Sequence, residues 1–311
     1  MDTPYEWEWH LVTWVFLLLL VASVVLGHRH LVRSGTQPVQ WARAEVMNFA
    51  GACAAATVAL TWPLADLAAR WSLTALVVQR LILVLAVAPL LLMGLPYHLL
   101  ERLSRPALVD ATVKRLQRPS TAIIVVTVLT VVPMIPPLVQ AQSSSAAVRA
   151  VLCLAMVVAG LVLWIPVLGR IPAVPRLSPM GRFGYLAGQA VVPAFLSFVL
   201  ILAPHPLYNV YADSHAAIHL RQLNDQQIAG FVSKLTMLIV LLTVGGIGLI
   251  KSPAHDAETG LDERLLWADV QRQFERADRQ SRRQGRALAA GRTVRTQAGT
   301  QPAIGPDGPD R

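Results

Sequence analysis

Seven stretches of the chain are long and apolar enough to cross a lipid bilayer as a helix, which takes roughly 17–25 residues. A backbone inside lipid has to satisfy its own hydrogen bonds, and runs of this length do so as helices. The second run is rich in Ala and Gly, which favours a place at a helix–helix interface. The sequence therefore predicts an all-α, polytopic membrane bundle of seven transmembrane helices, at about 11–27, 46–62, 76–98, 121–141, 148–169, 183–203 and 228–250.

The composition excludes the common soluble classes of protein. Hydrophobic residues make up 54% of the 311 positions and charged residues 14%, against the roughly 25% charged residues of an ordinary soluble domain. The two cysteines, Cys53 and Cys153, both lie in apolar runs, which excludes a disulfide framework and a thiolate zinc site. A soluble enzyme, a disordered chain and a collagen-like fibre are therefore excluded.

The loops between the apolar runs alternate in charge. Eleven basic residues fall in the first, third and fifth loops, against three in the second, fourth and sixth, and the first ten residues hold three acids and no Lys or Arg. By the positive-inside rule the N-terminus and the loops around residues 66, 145 and 215 are outside, and the tail from Lys251 is cytoplasmic. The net charge of +9 thus mostly reflects the membrane topology, and it does not indicate nucleic-acid binding.

The chain divides into two parts at the end of the last apolar run. Residues 1–251 form the predicted seven-helix domain, and residues 252–311 form a charged tail. Leu266, Val270 and Phe274 recur at helical spacing, which predicts a charged helix over about 260–290 followed by a disordered end. The first apolar run has an acidic flank before it, so we expect it to be a membrane span and not a cleaved signal peptide.

Sequence motifs for catalysis are missing, which argues against an enzyme. There is no phosphate-binding loop, no nucleophile elbow and no zinc-protease motif. His215 and His219 are four residues apart, and His205 lies in the same predicted loop, so the three could form a weak metal site. The alternative is that they are exposed loop histidines that bind nothing.

Two cations lie inside apolar runs, where a charge is costly: Arg80 and Lys234. One interpretation is that both side chains extend to the lipid headgroups. The other is that both point into the bundle and share a polar cluster at its outer face. Lys234 lies nine residues after Asp225, about 13 Å along a helix and too far to pair with it. Arg80 is then the better partner for Asp225, and Lys234 would bind carbonyls freed by a proline kink; the other candidate carboxylates are Asp66 and Asp213.

Several segments together resemble the CtaG-type cytochrome c oxidase assembly factors. They are residues 62–96, 161–169 (LVLWIPVLG), 178–195, 206–213 (PLYNVYAD) and 224–230 (NDQQIAG). The resemblance covers about residues 45–250 and implies a multi-pass protein of the bacterial plasma membrane that is needed to assemble haem–copper oxidase, through its copper. The motif positions that carry it are Trp62, Pro63, Gln79, Pro89, Pro96, Tyr208, Tyr211, Gln226, Gln227 and Gly230.

The chain departs from the family pattern at the metal-ligating residue types. The family's third span reads Ala-His-x-x-Gln-His-Leu, and here Leu76 and Arg80 replace both histidines. The fourth span's Trp-His-x-Pro is here PMIPP (133–137), the histidines before the fifth span are replaced in AAVRAVLC (146–153), and Ser233-Lys234 replaces a Met-Trp pair. Two replacements are cations, which suggests that a fixed positive charge takes the electrostatic role of a metal. The alternative is drift in a chain that no longer handles metal.

Two classes of function follow from these observations. The first is a non-enzymatic assembly or interaction protein related to oxidase biogenesis, with membrane lipids and either oxidase subunits or another assembly factor as partners, and no nucleic acid. The second is a transporter or channel for a small solute or ion, which would be expected to show internal repeats. No repeat is apparent, so the first class is favoured. No cofactor is predicted, and copper is the open alternative.

Overall fold

The computed structural model describes residues 11–33, 41–104, 119–171, 177–212 and 219–246, with the single residues 106 and 115. In this part of the chain the regular secondary structure is helical, as the apolar runs predict. The helices are α1 (Leu11–Arg33), α2 (Arg43–Leu60), α3 (Leu64–Asp66), α4 (Leu73–Ile82), α5 (Ala88–Gly94), α6 (Tyr97–Ser104), α7 (Pro119–Val131), α8 (Pro136–Ser144), α9 (Ala146–Leu168), α10 (Pro179–Leu202) and α11 (Gln222–Val240). The predicted tail helix at 260–290, the disordered end and the boundary at residue 251 lie outside the described residues.

Short irregular turns join or extend several of these helices. Turns with π-helical bonding follow α3 at Leu67–Trp71, link α4 to α5 at Leu83–Val87 and extend α11 at Leu241–Gly246. Turns with 3₁₀ bonding lie at Val132–Met134 and at Asn209–Tyr211.

Five helical segments of the described chain are each long and apolar enough to cross a membrane. Two further pairs qualify only when each is counted as one span with a bend, of 48° between α2 and α3 and of 65° between α7 and α8. The five unbent segments are Thr13–His30, Leu73–Gly94, Ala146–Leu168, Pro179–Leu202 and Gln222–Gly246. The fold is therefore that of an all-α protein with five to seven candidate spans.

Six described helices, α2, α4, α7, α9, α10 and α11, begin two to six residues before the apolar runs that predict them, and the early starts of α4 and α11 bear on the site. The Ser72 side chain caps α4 by accepting a hydrogen bond from Ala75 N–H, at 3.1 Å. Helix α11, the last in the described part of the chain, begins at Gln222, six residues before its apolar run. Arg80 and Lys234 consequently lie about 10 Å and about 18 Å along their helices, at 1.5 Å per residue.

A tight crossing of α9 with the α4–α5 segment organises the larger apolar core. A Cβ atom at Gly160 would lie 2.8 Å from the Val84 carbonyl oxygen and 2.6 Å from the Ala88 Cβ, so this approach needs glycine. One turn further along α9, the Trp164 indole N–H donates to the same Val84 carbonyl at 2.9 Å. Pro89 has no backbone N–H to donate to the π-helical turn that precedes α5. The Trp164 indole N–H therefore helps to satisfy the irregular backbone of that turn.

A second apolar cluster surrounds the start of α4 and holds the polar residues described next. Leu73, Leu76 and Val139 in this cluster are almost fully buried, and so are two tyrosines. The broken α7–α8 span, the end of α10 and the start of α11 all contribute to it. Polar groups inside such a cluster are expected to be hydrogen-bonded to one another.

Candidate functional site: the α4 polar cluster

Six buried polar side chains lie around α4, and we call them the α4 cluster: Ser72, Arg80, Gln142, Tyr208, Tyr211 and Asp225. At the first turn of α4, the Asp225 carboxylate accepts hydrogen bonds from Ser72 Oγ at 2.9 Å and from Leu73 N–H at 2.6 Å. Thr74 N–H donates to the same carboxylate at 3.3 Å. The N-terminus of a helix carries partial positive charge, so a buried carboxylate is well placed there.

The guanidinium of Arg80 points into the bundle two turns further along α4. Its side chain is 8% exposed, and it donates to the Pro133 carbonyl at 3.2 Å and to Gln142 Oε1 at 3.1 Å. A third N–H contacts the Met134 sulfur. Among the described residues, therefore, its hydrogen-bond acceptors are a carbonyl, an amide and a thioether, and none of them is a carboxylate.

Two of these acceptors, the Pro133 carbonyl and the Met134 sulfur, belong to the break between α7 and α8, where three prolines interrupt the helix. Pro133, Pro136 and Pro137 have no backbone N–H, and Pro137 stands where the helical donor to the Pro133 carbonyl would be. Arg80 meets the carbonyl of Pro133, and the Tyr208 hydroxyl donates to the carbonyl of Met134 at 2.8 Å. A cation from α4 and a phenol from the α10–α11 loop thus hold the broken span in place.

The second tyrosine of the loop anchors a different backbone segment. The Tyr211 hydroxyl donates to the Ala68 carbonyl at 2.8 Å, inside the π-helical turn that precedes α4. Burial raises the pKa of Tyr211 above its usual value, and the nearby Arg80 cation partly opposes that shift. Burial also raises the pKa of Tyr208, again opposed by Arg80. Both phenols therefore stay protonated, which a hydrogen-bond donor to a carbonyl requires.

Two glutamines after Asp225 fasten the start of α11 to the end of α10. Gln226 accepts from Leu207 N–H at 2.7 Å and donates to the Leu200 carbonyl at 3.2 Å. Gln227 donates to the Ile201 carbonyl at 3.3 Å. Since the last carbonyls of a helix have no internal partner, these amides cap α10. A Cβ at Gly230 would lie 2.8 Å from the Ser197 carbonyl oxygen, so the two helices touch there.

The remaining motif positions shape the neighbouring helices. Gln79 is buried and donates to the Ala59 carbonyl of α2 at 2.7 Å. Trp62 and Pro63 lie at the bend between α2 and α3, and Pro89 occupies the first turn of α5. The Pro96 carbonyl accepts from Leu99 and Leu100 N–H at 2.9 and 3.1 Å, at the start of α6.

The predicted direct pair of Arg80 and Asp225 is wrong. Arg80 points inward as predicted, but it hydrogen-bonds Gln142. The Asp225 carboxylate instead accepts its hydrogen bonds from the first turn of α4. Asp66 is the half-buried last residue of α3, outside the set of groups that Arg80 contacts. Asp213 lies outside the described residues.

The prediction that Lys234 points into the bundle is also wrong. Its side chain is exposed on the surface of α11, and its Nζ lies 3.9 Å from the centre of the Phe198 ring. A lysine can lie against an aromatic face in this way at a lipid-facing surface, because cation–π attraction replaces part of its hydration. We expected Lys234 to bind carbonyls freed by a proline kink. The Pro133 carbonyl, at the proline break, is bound by Arg80 instead.

The histidine site stays a prediction. His205 and His219 are both exposed, and His215 lies outside the described residues. Within the described ranges, no group of three or more His, Cys, Asp or Glu side chains could hold a metal ion.

A sequence profile described as cytochrome c oxidase caa3 assembly factor (Caa3_CtaG) matches residues 9–251. The chain belongs to this assembly-factor family. The match confirms the resemblance found in the motifs and extends it to the first apolar run, which those motifs did not cover. No curated protein and no solved structure matches the chain.

The positions that carry histidine in the family pattern come together in this family member. Aligning Trp-His-x-Pro with Pro133-Met134-Ile135-Pro136 places Met134 at the histidine position, and Met134 contacts Arg80, which replaces a histidine of α4. The other α4 histidine position holds Leu76, a buried apolar residue without a donor atom. A guanidinium repels a metal cation and here engages the nearest sulfur, so this group of residues does not fit copper.

Sequence reasoning missed two members of the α4 cluster, Gln142 and Ser72. Gln142 directly follows an apolar run and belongs to no motif, although a glutamine so close to a predicted span is a polar signal. Ser72 precedes an apolar run, which is a typical helix start, and that signal could have placed the first turn of α4 correctly.

Proposed function

We propose that this chain is a seven-span protein of the bacterial plasma membrane, with its N-terminus outside and its tail in the cytoplasm. Counting each bent pair as one span gives seven, and the eleven-to-three distribution of basic loop residues supports the orientation. In this orientation the α4 cluster lies in the outer half of the membrane.

We further propose that the protein acts in the biogenesis of a haem–copper oxidase. The observation that carries this proposal is the family match over residues 9–251, which spans the whole described bundle. The family positions Tyr208, Tyr211, Gln226 and Gln227 support it, because all four make hydrogen bonds between different segments of the bundle. The family motif residues are present even though the histidines are gone.

The role that we propose is an interaction role without a copper site in the bundle. Leu76 and Arg80 offer no donor to a metal, and the Met134 sulfur is bound by Arg80. The other sulfurs of this region, Met156 and Met237, line the same cavity as the Arg80 cation, which disfavours the entry of a copper ion. The protein would instead bind oxidase subunits or another assembly factor, surrounded by membrane lipid, and would carry out no reaction of its own.

A transporter or channel remains the alternative, and the proline breaks are the feature that suggests it. Broken helices of transporters leave carbonyls open to coordinate a substrate or ion. In this protein the Pro133 and Met134 carbonyls are bound by Arg80 and Tyr208, so they are not open. This contact favours a fixed bundle.

Deletion of the gene, followed by complementation, tests the proposed function. The content of assembled haem–copper oxidase in isolated membranes should fall on deletion and recover when the full chain is supplied. Adding copper to the medium should not replace the protein, because we propose no copper delivery. Unchanged oxidase content in the deletion strain would contradict the proposal, and recovery with copper alone would contradict its interaction role.

A further inference from the structure

A cavity of about 80 Å³ lies beside the α4 cluster, between α4, the α7–α8 break, α9, α10 and α11. Arg80 is one of the side chains that line it, together with Met134, Met156, Met237, Ser197 and Ser233. A buried water occupies about 10–15 Å³ in this measure, so the cavity could hold a small polar group and the first carbons attached to it.

The shape of the cavity follows from how α10 and α11 meet. The two helices touch at Gly230, where there is no room for a Cβ. Beyond that contact, Ser233 and Met237 of α11 and Pro193 of α10 line the cavity. The outward surfaces beside it are apolar, and Phe195 on α10 and Leu235 on α11 are exposed. The cavity therefore lies directly behind a surface that faces lipid.

Within the described residues, no carboxylate pairs with the Arg80 charge at the inner wall of this cavity. A guanidinium has five N–H groups, and Arg80 uses two on neutral oxygens and one on the Met134 sulfur. No ion pair to Arg80 occurs in the part of the chain that the structure describes. A buried cation without an anion is strongly unfavourable, so the site is suited to an anion from outside the chain.

A second cation lies on the lipid side of the same region. Lys234 follows the cavity residue Ser233, and its ammonium contacts Phe198, which follows the cavity residue Ser197. An exposed cation at this depth attracts an anion that approaches through the membrane. Entry from the lipid side would bring the anion past Lys234 and then to Arg80.

We propose that this cavity binds the carboxylate head of a membrane-soluble single-chain acid, such as a fatty acid. A carboxylate accepts strong, charge-assisted hydrogen bonds from a guanidinium, and Arg80 keeps N–H groups on Nε and Nη1 that are free to donate one. A single negative charge balances Arg80, whereas a phosphate head would bring more charge and more volume. The apolar tail extends from the cavity to the lipid-facing surface between α10 and α11.

Native mass spectrometry of the purified full chain with oleate tests this proposal. One bound oleate is expected for each chain, and oleyl alcohol, which has the same tail without the charge, should bind at least tenfold more weakly. Acetate at the same concentration should not displace oleate, because it lacks the tail. Equal binding of the alcohol, displacement by acetate, or tighter binding of lysophosphatidate would each overturn the proposal.

Two variants locate the binding site, and a matched variant controls for folding. Arg80→Gln should weaken oleate binding at least tenfold, and Ser233→Leu should do the same by filling the cavity while leaving Arg80 in place. Ser23→Leu makes the same change at an exposed position of α1 and should bind oleate as the wild type does. If Ser233→Leu keeps its thermal stability and still binds oleate normally, the cavity is not the site.

Discussion

The Asp225 carboxylate accepts a hydrogen bond from the Leu73 backbone N–H at 2.6 Å, although 152 positions of the sequence separate the two residues. The contact joins the first turns of α4 and α11, and Thr74 Oγ1 reinforces it by donating to the Asp225 carbonyl at 2.8 Å. Asp225 thus acts as the N-terminal cap of a helix to which it does not belong.

We expect Asp225→Asn to destabilise the protein. Asparagine keeps one acceptor oxygen, but it loses the negative charge at the start of α4 and cannot accept all three hydrogen bonds. A buried donor left without a partner costs about 1–3 kcal/mol. The measurement is the midpoint of thermal unfolding in detergent, and Asn224→Ala, at an exposed neighbouring position, is the control. Equal midpoints for the two variants would show that the cap contributes nothing.

Arg80→Leu should lower the unfolding midpoint more than Lys234→Leu. Removing Arg80 leaves Gln142 Oε1 and the Pro133 carbonyl without a donor inside the bundle. Removing Lys234 places an apolar side chain on a surface that faces lipid, so its effect should be neutral or stabilising. The two substitutions are chemically matched, since each replaces a cation by leucine. A larger fall in the unfolding midpoint for Lys234→Leu than for Arg80→Leu would mean that the hydrogen bonds of Arg80 do not stabilise the bundle.

Tyr211 should make the stability of the protein fall at alkaline pH. The pKa of Tyr211 is raised in the folded state by burial, whereas an unfolded tyrosine loses its proton near pH 10. Between those two pKa values the folded state binds more protons, so stability decreases as pH rises above roughly 10. Tyr211→Phe should reduce this fall in unfolding midpoint, and Tyr97→Phe, at an exposed position, should not. A fall of the same size in both variants would contradict the assignment.

The proposed orientation predicts which positions an impermeant thiol reagent can label. In a chain whose two native cysteines have been replaced, His205→Cys should be labelled in intact cells. Thr296→Cys in the tail should be labelled only after the membrane is permeabilised. Labelling of Thr296→Cys in intact cells would reverse the orientation that the basic loops indicate.

The helical architecture could be predicted from the sequence because the length and hydropathy of a run report directly on its environment. The start of α4 could not be placed from the apolar residues alone. Ser72 and Thr74 are polar, and what fixes that first turn is Asp225, which arrives from a distant helix. Hydropathy contains no information about such a partner.

The inward direction of Arg80 could be predicted from the high cost of a charge in lipid, but its partners could not. We expected a carboxylate, because opposite charges attract. The structure instead uses the Pro133 carbonyl, which lies in the proline break, and the side-chain amide of Gln142 in α8. Lys234 was misjudged because one cation on a helix can face either lipid or protein, and the sequence around it does not distinguish the two.

The copper content of the purified full chain tests most directly the central claim, that a guanidinium stands where the family pattern places histidine. Elemental analysis of protein with His205, His215 and His219 all changed to Ala should find far less than one copper per chain. Any copper that the wild type binds should be lost in that variant, because Leu76 and Arg80 supply no ligand. One tightly bound copper per chain in the triple variant, lost on Met134→Leu, would contradict the account.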